Sequence, residues 1–91
     1  MRNHKPLKEL MKTIQRLCLE GHTEKSLYSH MFQRVDKCLK LMKPEDSVLR
    51  MDSLYEVMHI KDDIRAGNLD HALVGIANVL NLVNLEEQGL L

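Results

Sequence analysis

Aromatic side chains are nearly missing from this chain. Tryptophan does not occur, and Tyr28, Phe32 and Tyr55 are the whole aromatic set. The core must therefore be aliphatic, built from Leu, Ile, Val and six adaptable methionines. Glycine is also scarce: four residues stand far apart at 21, 67, 75 and 89, which excludes a glycine-rich phosphate loop. Proline occurs only at 6 and 44. No apolar run reaches the roughly 20 residues that a membrane-spanning helix needs, so no membrane partner is expected. No segment alternates apolar and polar residues in the manner of a half-buried strand.

Cysteine is limited to Cys18 and Cys38. Both fall on apolar helix faces and read as small buried hydrophobes rather than a disulfide. Residues 1–6, Met-Arg-Asn-His-Lys-Pro, lead straight into an amphipathic stretch without an apolar leader. These features point to a reducing, cytoplasmic setting.

Net charge is zero as well, yet the halves differ. Residues 1–50 carry eleven Lys/Arg against six Asp/Glu, a balance of +5, and residues 51–91 carry two against seven, a balance of −5. Such a chain can pack its halves together, pair head to tail, or attract opposite partners at its two ends. Complementary solvated faces within one domain are the simplest of these.

What the sequence does contain is helical periodicity throughout its 91 residues, enough for one domain with one core. Leu7, Leu10, Met11, Ile14, Leu17 and Cys18 recur at i, i+3, i+4, i+7 spacing, with Pro6 suited to a first helical turn and Gly21 to a stop. Leu27, Tyr28, Met31, Phe32, Val35, Cys38, Leu39 and Met42 form a second stripe that Pro44 ends. Thr23 is placed to cap this second helix, Asp46 or Ser47 the third, and Asn68 the fourth. Leu54, Tyr55, Val57, Met58, Ile60 and Ile64 spread around more than one face of the third helix, as suits a helix with two neighbours. Gly67 ends it, and Asp70 lies in the first turn of the fourth, where the helix dipole favours an anion. The reading is an all-α single domain: a compact four-helix bundle or helical array with short loops, its helices near 6–20, 24–42, 47–66 and 69–86.

The fourth helix stands apart. From His71 through Leu85, fifteen residues carry no formal charge, and Asn78, Asn81 and Asn84 supply the polarity. A helix apolar nearly all round is normally buried. Either the other three helices surround it, or a second chain covers part of it. Leu73, Ile76, Leu80 and Val83 make one stripe, with Val74, Leu82 and Leu85 off it. Leu73, Val74, Ile76, Leu80, Leu82 and Val83 are therefore the candidate contacts to a larger protein, or to a second copy in a homodimer through helix four. Gly75 costs a helix about 1 kcal/mol relative to Ala, which suggests the close approach of another backbone.

Catalytic chemistry finds little support. Ser29 and His30 are adjacent on a helix and diverge by about 100°, as do the pairs Glu45-Asp46 and Asp62-Asp63. His30 and Cys38 stand about 12 Å apart along a helix axis, too far to share an ion. Gly21 interrupts the spacing of Cys18 and His22, and neither Cys-x-x-Cys nor His-Glu-x-x-His occurs. No enzyme activity, cofactor or metal is expected.

A basic stripe remains. Lys5, Lys8, Lys12 and Arg16 lie within an arc of about 80° on helix one, extended by Arg2, and helix two adds Lys37 and Lys40, followed by Lys43. The expected function is a small regulatory or adaptor module that inhibits or recruits a larger protein. It would grip through its apolar helical face, with the basic stripe steering toward an acidic surface. The alternative is a nucleic-acid-binding regulator using the basic faces of helices one and two. Against that alternative, the stripe has no aromatics on which bases could stack.

Overall fold

The computed structural model describes residues 4–91 as four α-helices joined by short turns. Helix α1 spans Lys5–Leu19, α2 spans Lys25–Lys40, α3 spans Ser47–Arg65 and α4 spans Leu69–Glu87, with a single 3₁₀ turn at Pro44–Asp46 before α3. No strand occurs among the described residues. The all-α reading and its four segments hold to within about two residues at each end, the usual scatter of helix boundaries.

Three of the stops work through glycine, and at the end of α4 Gly89, with φ of 73°, closes on the Glu86 carbonyl. Gly21 and Gly67 have φ of 81° and 75°, the left-handed region that side chains with a Cβ avoid. At the end of α1 the Gly21 N–H reaches the Cys18 carbonyl and the His22 N–H reaches the Leu17 carbonyl. At the end of α3 the Gly67 N–H reaches the Ile64 carbonyl and the Asn68 N–H reaches the Asp63 carbonyl. Each pair is a Schellman closure, satisfying carbonyls that the helix itself leaves open.

The expected N-caps are not realised as drawn. Helix α2 has Glu24, not Thr23, at its N-cap position, and neither Asp46 before α3 nor Asn68 before α4 makes a side-chain cap hydrogen bond. Asp46 is instead drawn inward, where its Oδ1 lies 3.7 Å from His4 Nε2.

Packing runs around a ring: α1 meets α2, α2 meets α3, α3 meets α4, and α4 returns to α1. The core between them is aliphatic, with Leu7, Met11 and Ile14 from α1 and Val35 and Leu39 from α2. Leu49, Val57 and Ile60 come from α3, and Ala72, Ile76, Val79 and Val83 from α4. Tyr28 and Phe32 are the two aromatic contributions. The tightest seam joins α3 to α4, where small residues let the helices close up. A Cβ placed on Gly75 would come within 2.7 Å of Ile60 Cγ1. The glycine does serve a close approach, but the approaching group is a side chain of α3 in the same chain.

Two ion pairs at the surface tie the halves of the chain together. Lys8 Nζ lies 2.8 Å from Glu87 Oε1, tying α1 to the end of α4. On the other side Lys61 Nζ bonds Asp36 Oδ2 at 2.9 Å and sits 5.6 Å from the centre of the Phe32 ring, clasping α3 to α2.

Candidate functional site

Helix α4 uses up most of its own apolar surface. Ile76 and Val83 are fully buried in the core and have nothing to offer a partner. Leu73, Leu80 and Leu82 are half-buried and pack against that core, leaving Val74 as the one residue of the expected set that is exposed. The buried line is Ala72, Gly75, Ile76, Val79 and Val83. The sequence pattern centred the stripe on leucines. The bundle centres it on small residues, because the close seam with α3 needs the narrow side of the helix. For Ile76 and Val83, burial by the neighbouring helices is the arrangement realised.

Exposed apolar residues are scattered at Leu19, Leu27, Leu41, Val74, Leu90 and Leu91, but on α3 they form a stripe. Val48, Met51, Tyr55 and Met58 are 51–65% exposed. At 100° per residue they fall within an arc of about 80°, and their spacing of three, four and three residues is that of a heptad seam. Leu49, Ser53, Val57, Ile60 and Ile64 hold the opposite side of the same helix in the core. Helix α3 is thus apolar on two faces, one spent on the bundle and one left outside. The spread of apolar residues around α3 is that of a helix with two neighbours. Tyr55 and Met58 belong to that set, and Val48 and Met51 lie outside it. The signal that would have found them is the recurrence at 48, 51, 55 and 58, out of phase with the core residues.

Acidic groups flank this stripe. Asp52 is exposed beside it, Asp62 is exposed but paired with Arg65 at 3.5 Å, and the half-buried Glu56 accepts a 3.4 Å hydrogen bond from Asn78 Nδ2. Asp52, Tyr55, Glu56, Asn78, Asn81 and Leu82 line a shallow groove between α3 and α4. The Tyr55 ring stands edge-on to His59, with ring centres 4.6 Å apart, which fixes the aromatic at the middle of the stripe.

The basic stripe of α1 is partly neutralised. Lys5, Lys12 and Arg16 are exposed, but Lys8 is held by Glu87 and Lys5 lies 4.0 Å from Glu9. Arg2 lies outside the described residues.

The cysteines are poor nucleophiles. Cys18 is buried and Cys38 half-buried, and both are free thiols. Burial pushes each thiol above its ordinary range, more than hydrogen bonding by Tyr28 lowers Cys18 or the nearby Arg34 and Lys37 lower Cys38. The Tyr28 hydroxyl is spent on the His22 carbonyl. Burial, and then hydrogen bonding with Cys18, push its phenol strongly upward.

Among the described residues, the titratable side chains that converge tightly enough to share an ion are His4, Asp46 and Glu86, all buried. They lie 42 and 40 residues apart in the chain, and no local motif announces them. No helix among the described residues is long and apolar enough to cross a membrane. No family model, curated protein or solved structure matches the chain.

Proposed function

We propose that this chain is a protein-docking module that inhibits or recruits a larger protein, in a cytoplasmic setting that suits its two free thiols. It grips the partner through the outer face of α3, and the occupant is an amphipathic helix whose apolar seam is bordered by lysine or arginine. One observation carries the reading: Val48, Met51, Tyr55 and Met58 stand exposed in heptad register. The acidic Asp52, Glu56 and Asp62 beside them select the charge of the partner's flanks. Val74 and the half-buried Leu82 extend the surface onto α4.

Magnitudes set the expected strength. Covering the exposed parts of four such side chains returns roughly 1–2 kcal/mol apiece. Association costs at least about 4 kcal/mol in lost freedom. The balance is at most about 4 kcal/mol, a transient grip on the order of millimolar.

A Leu-seamed heptad peptide with lysine flanks serves as the probe, and its glutamate-flanked counterpart as the control. The lysine peptide is expected to bind with shifts in the NMR signals of Met51, Tyr55 and Met58. Tyr55→Glu should weaken it at least tenfold while leaving the helical circular dichroism unchanged. No binding by either peptide, or equal binding by the Tyr55→Glu variant, overturns the reading. Self-association removed by Tyr55→Glu would mean that the occupant is a second copy.

The nucleic-acid reading keeps one supporting observation, the exposure of Lys5, Lys12 and Arg16 on one arc of α1. Its test is duplex binding across salt concentrations. A steep loss of affinity with salt, abolished by neutralising Lys12 and Arg16, would favour it.

A further inference from the structure

We propose that the groove between α3 and α4 receives an arginine side chain of the helix that docks on α3, an inference that rests on that docking role. Asp52, Tyr55 and Glu56 stand at i, i+3 and i+4 on α3, and Asn78, Asn81 and Leu82 repeat that spacing on α4. Each helix thus turns one edge to the same groove. About 310 Å³ of space lies between them, enough for one long side chain. The charge in it is of one sign. Asp52 and Glu56 are like charges one helical turn apart, an arrangement that destabilises a helix. Among the described residues, no basic side chain forms an ion pair with either carboxylate. The facing helix cannot supply one, because from His71 through Leu85 it carries no formal charge.

The lining matches a guanidinium group by group. Glu56 accepts one hydrogen bond, from Asn78 Nδ2 at 3.4 Å, and an ionised carboxylate has lone pairs for more. That contact spends the amide nitrogen of Asn78 and leaves its carbonyl oxygen as a further acceptor. Asp52 is exposed and adds the second carboxylate. Tyr55 is 64% exposed and braced by His59, and its ring offers an aromatic surface to a cation. The half-buried Leu82 gives a methylene stem an apolar wall. Arginine answers all of these at once. Its planar fork presents five donors, pairs with carboxylates two bonds at a time and stacks on aromatic rings. A lysine ammonium is a compact point charge that cannot fork across acceptors while lying flat on a ring. Tyr55 belongs both to the apolar stripe and to the groove, so an arginine beside the partner's seam reaches the carboxylates as the seam packs. The polarity that α4 keeps at Asn78 and Asn81 falls on this groove.

The probe is the Leu-seamed heptad peptide with arginine flanks, titrated into the full chain by NMR beside the lysine-flanked version and one carrying neutral citrulline. The arginine peptide should bind about tenfold more tightly than the lysine peptide, and the citrulline peptide more weakly than either. Glu56→Gln and Asp52→Asn keep the shape of the groove and remove one like charge each. Either should cut the preference for arginine by about threefold or more, while the Met51 and Met58 signals still shift. Because both substitutions relieve the like-charge pair, neither should lower the melting midpoint, which separates a lost contact from a lost fold. Equal binding of the arginine and lysine peptides overturns the arginine site and leaves the docking stripe standing, whereas binding by neither peptide removes both. A preference for arginine that is unchanged in both variants overturns the groove as its seat.

Discussion

Gly75 on α4 and Ile60 on α3 occupy adjoining space so fully that a methyl group on the glycine would lie 2.7 Å from Ile60 Cγ1. Ile60 is fully buried and has nowhere to retreat. Gly75→Ala should therefore destabilise the fold, although alanine is the better helix former by about 1 kcal/mol. Overpacking costs roughly 1–3 kcal/mol, so a net loss of about 1 kcal/mol is expected in chemical denaturation. Ile60→Ala alone should cost about 2–5 kcal/mol. Combined with Gly75→Ala it should cost less than the sum, because the new methyl fills part of the cavity. Strict additivity in this cycle would show that the two positions do not meet.

Ser53 offers the opposite prediction. Its hydroxyl is fully buried on the core face of α3 with no hydrogen-bond partner. A buried unsatisfied polar group costs about 1–3 kcal/mol. Ser53→Ala should raise stability by about 1 kcal/mol, and the melting midpoint by about 4–8 °C. A lowered midpoint would mean that the hydroxyl is satisfied after all.

Alkaline pH should unfold the chain through Cys18 and Tyr28. Both groups hold their protons more tightly folded than unfolded, because burial disfavours the thiolate and the phenolate. Their contribution is fully present below the ordinary values of 9.0 and 10.0 and is lost as pH rises past them. Denaturation midpoints should be flat from neutrality to about pH 8 and fall above about pH 9. Tyr28→Phe should flatten part of that fall, and an unchanged slope in this variant would contradict the assignment.

The Lys8–Glu87 pair is about 70% buried on both sides. Glu87→Gln should cost less than about 1 kcal/mol in stability, and the cost should shrink in high salt. Freed from Glu87, Lys8 joins Lys5, Lys12 and Arg16. If that stripe contacts phosphates, Glu87→Gln should strengthen duplex binding. An unchanged affinity would remove α1 as a nucleic-acid surface.

Much of this was legible in the chain itself. Glycines at 21 and 67 and proline at 44 separate four helical periodicities, and local backbone chemistry is enough to place those stops. Which face of each helix turns inward was legible for α1 and α2, whose apolar residues fill one continuous stripe, with only Leu27 at its edge exposed. It was not legible for α3 and α4, which are apolar on more than one side. There, periodicity leaves several orientations open, and tertiary contacts choose among them.

The choice turned on volume rather than hydrophobicity. Gly75 and Ala72 contribute little to an apolar pattern, yet they mark the side of α4 that α3 can approach most closely. That approach rotated Ile76 and Val83 into the core and left Val48, Met51, Tyr55 and Met58 outside. Convergence of His4, Asp46 and Glu86 likewise depends on how three helix ends meet, a relation between residues about forty positions apart that no local spacing encodes. The sequence by itself determined the helices, their ends and the charge of each half. Packing decided which apolar faces are spent, which charges neutralise each other, and where buried polar groups meet, because those outcomes depend on distances between segments rather than on the residues within one.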